Sequence, residues 1–214
     1  MIKRRIFSIA YMFGLTLLFT AVVSGIHELN RERIAVNEEI KMQEIVLRVL
    51  GIEVPSGARS PEVKAVFENR VKVEEREERR LYQGFAEDGK TPIGYAFPLS
   101  GPGFWGPIHG MMAVDPELKG VIGVSFYLHS ETPGLGGRIT EGWFGNQFEG
   151  KSLTSVKEGE RYFYLVPEGT SKANNELDAI TGATGTSRAV ERLIDRSMRA
   201  YLPWMAGQKA RGLI

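Results

Sequence analysis

Apolar and polar positions divide the chain into stretches of different period. Residues 6–26 form a run of 21 without a charged side chain. As a helix rising 1.5 Å per residue, such a run would be about 31 Å long, which matches the hydrocarbon core of a bilayer. Residues 28–50 are charged, with Ile34, Ile40, Ile45, Val46, Val49 and Leu50 set among the charges. That pattern predicts a connecting helix, stopped by Gly51 and Pro55. Two short apolar runs, 82–86 and 93–97, flank Asp88-Gly89 and predict a β-hairpin. Residues 108–114 and 121–128 predict two further strands, joined through Asp115-Pro116 and Lys119-Gly120 turns. A short aromatic strand is predicted over 161–166. Val190, Leu193, Ile194 and Met198 then recur at helical spacing, so a helix should run from Thr184 or Thr186 to about Leu202. Residues 61–79 fit no period. Within them and just beyond, the run 74–80 alternates in sign and reads as a solvated surface.

Hairpins with helices set apart predict an α+β fold with a largely antiparallel sheet flanked by helices. The organisation expected is an N-terminus and transmembrane helix over 1–27, a connecting helix and charged segment over 28–78, one globular domain over 79–205 and a tail over 206–214. Lys3, Arg4 and Arg5 precede the apolar run. Positive charge at that end places the N-terminus in the cytoplasm, and everything after His27 outside it, periplasmic or extracellular. A cleaved signal peptide is the competing reading. Its small-residue cleavage site would have to be Ala21-Val22-Val23-Ser24-Gly25, a poor fit, so an uncleaved anchor in the cytoplasmic membrane is favoured.

Charge and composition narrow the chemistry. Lys+Arg number 27 and Asp+Glu 26, for a net charge of +1. Such a balance gives no basis for nucleic-acid binding. There is no cysteine. That excludes thiolate-held iron–sulfur clusters, thioether-linked haem, disulfides and a lipid anchor on sulfur. His27, His109 and His129 lack the spacing of a metal site, and no metal is expected. Electron chemistry would therefore need an organic cofactor or a partner.

Four segments carry candidate chemistry. Residues 178–187 read Asp-Ala-Ile-Thr-Gly-Ala-Thr-Gly-Thr-Ser and open directly into the last helical pattern. Small residues there let a ligand approach the backbone, and free N–H groups at a helix start suit a phosphate. The simpler reading is a helix cap by Thr184 with Ser187 three residues on. Residues 100–107 form a Gly/Pro loop bearing Phe104 and Trp105, suited equally to stacking on a planar ring and to completing the core. Residues 129–137 hold three glycines and a proline at a strand end. Glu131 and Thr132 could hydrogen-bond a ligand edge there, or the segment could be a plain turn. Trp143, Phe144 and Phe148 suggest a short helix burying its aromatics, followed by Gly150 and Lys151, where a surface lysine is the ordinary outcome.

All four segments resemble one family. Residues 178–186 are similar to the flavinylation motif Asp-x-x-(Ser/Thr)-Gly-Ala-Thr-x-(Ser/Thr) of FMN-binding domains, which occur in the G subunit of Rnf complexes and the C subunit of the sodium-pumping NADH:quinone oxidoreductase, Nqr. His129-Ser130-Glu131-Thr132-Pro133-Gly134-Leu135-Gly136 is similar to a second signature of those subunits, and Gly101, Gly103, Phe104, Trp105 and Gly106 resemble a third. The Trp143-to-Lys151 stretch also resembles the family. The resemblance covers about residues 80–200. It implies FMN joined by a phosphoester to Thr186, with Asp178, Gly182, Ala183, Thr184 and Thr186 read by a flavin transferase that makes the bond from FAD. Glu131, Thr132, Leu135, Gly136, Lys151, Thr181, Gly182, Ala183 and Thr184 are the implied cofactor contacts, and His129 is implied as a structural hydrogen-bonding residue. The implied function is electron transfer within a membrane complex that couples redox flow to Na⁺ or H⁺ movement, with other membrane subunits as partners and no catalysis by this chain alone. A flavinylated extracytoplasmic carrier or regulator outside Rnf and Nqr, and a non-redox anchored binding domain, stand as alternatives.

Overall fold

The computed structural model describes residues 2–55, 57–154, 156 and 159–214. The chain divides into two compact units, Met1–Met42 and Gln43–Ile214. The apolar run and the charged segment after it form one continuous helix, α1 (Ile2–Val49). No proline interrupts the two patterns, and Gly25 near their junction weakens a long helix by only about 1 kcal/mol. In the first unit Ile9, Phe13, Leu17 and Phe19 are exposed. This part of the helix is long and apolar enough to cross a membrane, with a mean hydropathy of 2.2 in its most apolar window.

The second unit is built on a five-stranded antiparallel meander in the order β1-β2-β3-β4-β5. The strands are β1 (Val71–Arg76), β2 (Arg79–Phe85), β3 (Pro92–Pro102), β4 (Pro107–Val114) and β5 (Val121–Leu128). A helix, α2 (Ser60–Arg70), precedes the sheet. After the sheet come a 3₁₀ turn (Gly136–Thr140), α3 (Gly142–Asn146), β6 (Tyr164–Val166), β7 (Glu176–Asp178) and α4 (Thr184–Ala210).

The core forms where the inward positions of the sheet meet α4. Tyr95, Phe97 and Leu99 of β3 share one face with Met112 and Val114 of β4, and all are buried. Phe97 stacks on Tyr201 of α4, ring centroids 4.7 Å apart and 17° between planes. Val190, Ile194 and Met198 complete this side, with Phe144, Phe148 and Phe163 closing one end. The end of α1 reaches the sheet through Val49 and, just beyond the helix, Leu50. A Cβ on Gly123 would lie 3.2 Å from Val49 Cα, and one on Gly84 would lie 3.0 Å from Leu50.

Four expectations change. The segment 61–79 is ordered as α2, β1 and the turn into β2. The run 74–80 is not wholly solvated, because Glu74 is buried in β1. Ion pairs to Lys72 at 2.8 Å and Arg76 at 3.0 Å make that burial tolerable. The aromatic strand shrinks to β6, which pairs in parallel with β7 outside the main sheet. Finally, α4 continues past Leu202 and through Pro203 to Ala210. Pro203 is exposed while Leu202 and Met205 are buried. Water can serve the carbonyl that loses its partner, and the buried neighbours hold the helix together.

Candidate functional site

The site assembles at the start of α4 from three loops distant in sequence. Gly182 has φ 78°, a left-handed conformation that glycine adopts without strain, and it turns the chain into the helix. Ala183 occupies the cap position with no side-chain cap bond, so Thr184 is not the cap. Ser187 Oγ instead accepts the Ile180 N–H at 3.2 Å and closes the turn from behind.

Thr186 lies in the first turn of α4 and is only 3% exposed. Its hydroxyl donates to Glu131 Oε2 at 2.5 Å. The hydroxyl is therefore buried and held. Glu131, 4% exposed, follows β5. Its Oε1 accepts the backbone N–H groups of Phe104 at 2.8 Å and Trp105 at 3.1 Å. Its own N–H donates to His129 Nδ1 at 3.1 Å, which gives His129 a structural bond. One carboxylate thus ties together the loop after β3, the loop after β5 and the start of α4.

Glycine makes this convergence possible. A Cβ on Gly136 would run into the Thr186 hydroxyl and Glu131, one on Gly103 into Glu131 Oε1, and one on Gly185 into the ring of Phe104. The unspecified position of the motif, Gly185, is thereby filled by the one residue that fits under that ring.

Burial alone would raise the Glu131 pKa. The Thr186 hydroxyl and the Trp105 and Phe104 amides outweigh it, with a smaller contribution from His129, and hold the carboxyl below its ordinary value. Among the described residues no lysine or arginine forms an ion pair with it.

A cavity of about 400 Å³ opens over this cluster. Phe104 and Trp105 form one wall, Glu131, Thr132, Leu135 and Gly136 a second, and Gly182, Ala183, Thr184, Gly185 and Thr186 the third. Phe104 is 61% and Trp105 69% exposed, so these rings border the cavity and do not complete the core. Sequence reasoning left them outside the candidate contacts, although the Gly-x-Gly-aromatic spacing was the signal that could have included them.

Three candidates stand elsewhere. Thr181 donates to Glu168 Oε2 at 2.5 Å and lines a neighbouring cavity with Ser187 and Arg188. Lys151 Nζ donates to the Glu176 carbonyl at 3.2 Å and does not line the cavity over Thr186. The Asp178 backbone is clamped by the Gln147 amide at 2.7 and 3.2 Å. Burial pushes the Asp178 carboxyl up, but hydrogen bonds from Ser171, Gly169 and Thr170 leave it below its usual range. Among the described residues no cluster of three His, Cys, Asp or Glu could hold a metal ion.

Comparison with known proteins agrees with this geometry. Residues 103–199 match the FMN-binding domain family. The chain is 34% identical over 121 residues to the C subunit of the Na(+)-translocating NADH-quinone reductase of Chlamydia muridarum, covering 50% of this chain and 38% of that one. It is 25% identical over 210 residues to the corresponding C subunit of Pseudomonas aeruginosa, covering 75% and 78%. Against the chlamydial relatives the chain spans well under half of their length. Among solved structures, NqrC of Shewanella oneidensis superimposes with a TM-score of 0.63 at 23% identity, covering 72% of this chain and 89% of that one. The C subunit of the Na(+)-translocating NADH-quinone reductase of Parabacteroides distasonis gives 0.67 at 27% identity, covering 80% and 94%.

Proposed function

We propose that this chain, whose residues 103–199 carry an FMN-binding domain, is a membrane-anchored electron-transfer subunit of an Nqr- or Rnf-type ion-translocating complex. It holds FMN through a phosphoester on Thr186, on the extracytoplasmic side of the membrane. Similarity to the C subunit of Nqr favours the Nqr type. The apolar helix preceded by Lys3, Arg4 and Arg5 supports the anchor and its orientation.

The observation that carries the reading is the placement of the Thr186 hydroxyl at the wall of a cavity shared with Phe104, Trp105 and Leu135. The cavity volume lies in the usual range for small-ligand sites, about 300–1,000 Å³. Exposed rings present flat apolar faces, and Gly136 and Gly185 let the loops close where a Cβ would strike Thr186, Glu131 or Phe104. A planar ring system on a short tether suits this cradle. Bound flavin supplies one- and two-electron redox chemistry. The protein contributes position: Phe104, Trp105 and Leu135 offer apolar contact, Thr132 a polar edge, and the first turn of α4 its N–H groups. Asp178, Gly182, Ala183, Thr184 and Thr186 form the turn presented to a flavin transferase, and other membrane subunits are the electron partners.

The test is co-expression with a flavin transferase, followed by ultraviolet fluorescence of the band on a denaturing gel. Thr186→Ala should abolish the fluorescence and Thr184→Ala should retain it. The opposite pair of results would move the attachment to Thr184. A dark wild-type band, under conditions that label a known acceptor, would sink covalent attachment.

A further inference from the structure

We propose that Glu131 is the general base that takes the Thr186 proton during flavin attachment, so that this subunit brings part of the catalytic machinery to its own modification. The proposal rests on attachment at Thr186 and goes beyond it, because that reading requires only a hydroxyl to be presented.

Geometry is the first argument. A base must lie within about 2.6–3.2 Å of the proton-bearing atom, or tighter when charge-assisted. Glu131 Oε2 is 2.5 Å from Thr186 Oγ1 and accepts its hydrogen. The two residues are 55 positions apart, so this contact is a product of the fold and not of the motif. Glu131 is also fixed, because its other oxygen is occupied by the amides of Phe104 and Trp105. A carboxylate held chiefly by backbone amides and a hydroxyl keeps its negative charge, and among the described residues no lysine or arginine pairs with it. Its low proton affinity is no obstacle. A hydroxyl becomes strongly acidic only as its oxygen bonds to phosphorus, and protein kinases accept that proton on an aspartate.

The step balances as follows. Thr186 Oγ1 attacks the flavin-side phosphorus of FAD. The Oγ1–P bond forms while the bond from that phosphorus to the bridging oxygen breaks, and AMP leaves with the bridging oxygen on its phosphate. The Thr186 proton passes to Glu131 and from there to solvent through the cavity. No oxidant or reductant is needed. The product at Thr186 has no hydrogen left to donate, and it carries a phosphodiester charge beside Glu131. The contact that starts the reaction is thus consumed by it.

A carboxylate that only clasps the loops makes the opposite prediction, since loosening the clasp would free a buried hydroxyl. The experiment follows labelling of the full-length protein in detergent with FAD, Mg²⁺ and a flavin transferase, reading band fluorescence against time and acceptor concentration. Glu131→Gln should lower the labelling kcat by about 10²-fold or more, within the 10²–10⁴ expected for a general base, with the KM for the acceptor unchanged. The ratio of the Glu131→Gln rate to the wild-type rate should climb with pH as hydroxide replaces the missing base. Taking the ratio at each pH cancels the transferase's own titration. Glu131→Asp, which keeps the carboxylate, should recover part of the rate, and it carries the same kcat test if the Gln variant does not fold. A Glu131→Gln rate equal to or above wild type, a loss confined to KM, or a pH-independent ratio would overturn the proposal. Labelling of Thr186→Ala would instead overturn the attachment reading, so the two failures are distinct.

Discussion

Glu74 in β1 is 7% exposed and Glu131 after β5 is 4% exposed, yet their carboxylates are held by opposite means. Glu74 sits at the edge strand of the sheet between two cations, Lys72 and Arg76, both of which reach into solvent. Glu131 sits at the cavity wall on two backbone amides and one hydroxyl. Burial pushes both carboxyls up, and in both cases the partners reverse the shift and leave the pKa below its ordinary value. The difference lies in what remains. At the sheet edge the negative charge is cancelled, and the site is inert. At the cavity it is solvated by neutral dipoles that the fold has already oriented, which costs no reorganisation when a proton arrives. Burial of a carboxylate is therefore a poor guide to function here, and the charge of its partners is a better one.

The largest expected effect is in stability. Glu131→Ala strands two amide N–H groups and a buried hydroxyl, each worth about 1–3 kcal/mol if unserved. Entry of cavity water should relieve part of this, for a net cost of about 2–4 kcal/mol. Glu74→Ala frees two cations that water already reaches, so its cost should be nearer 1 kcal/mol. Denaturant unfolding of the detergent-solubilised chain, followed by tryptophan fluorescence, measures both. A larger loss at Glu74 would break the comparison.

The sequence showed these two regions unequally. Strand pattern and turn residues located β4, β5 and the hairpin around Asp88-Gly89, because each signal is local. β1 was hidden, because its inward position at 74 holds a glutamate whose partners make it tolerable only in the folded sheet. At the site, Glu131, Thr132, Leu135, Gly136, Gly182, Ala183, Thr184 and Thr186 were named from motif resemblance and line one cavity, whereas Thr181, named with them, lines its neighbour. Burial of Thr186 could not be read from its neighbours, which are small and suggest an open loop. It arises from Glu131 and from the Phe104 ring over Gly185. Lys151 was implied as a contact by the resemblance, whereas its ammonium donates to the Glu176 carbonyl.

A smaller effect separates the two carboxylates by solution conditions. Each has a folded-state pKa below its unfolded value of about 4.3. Each stabilising contribution is therefore present in full above that pH, and it is lost as pH falls through the lower, folded value. Comparing wild type with Glu131→Gln and Glu74→Gln, both Tm differences should shrink as pH is lowered from about 7 toward 4 and below. Salt should divide them. Raising ionic strength from about 0.1 to 1 M shortens the screening length from about 10 to 3 Å. The Glu74 difference should shrink, because its cations are exposed, while the Glu131 difference should hold. Equal salt sensitivity would mean that a cation, His129 or another, serves Glu131 more than its hydrogen bonds do.

The smallest effect concerns the turn that carries Glu74 and sharpens the contrast between edge and cavity. Glu77 and Glu78 link β1 to β2 with φ of 52° and 61°, and Arg76 pairs directly with Arg79. A two-residue hairpin of this kind wants glycine or asparagine, since a left-handed residue bearing a Cβ costs about 1–2 kcal/mol. Glu77 accepts a hydrogen bond from Trp204 Nε1 at 3.0 Å, which offsets some of that cost. Glu78→Gly should remove the strain at the second position while adding about 0.5–1 kcal/mol of backbone entropy to the unfolded chain, so the net gain should be at most about 1.5 kcal/mol. It would appear as a modest rise in the unfolding midpoint, with the rate of flavin labelling unchanged. A stable edge hairpin that altered labelling would show the two regions to be coupled, and the separation drawn between Glu74 and Glu131 would fail.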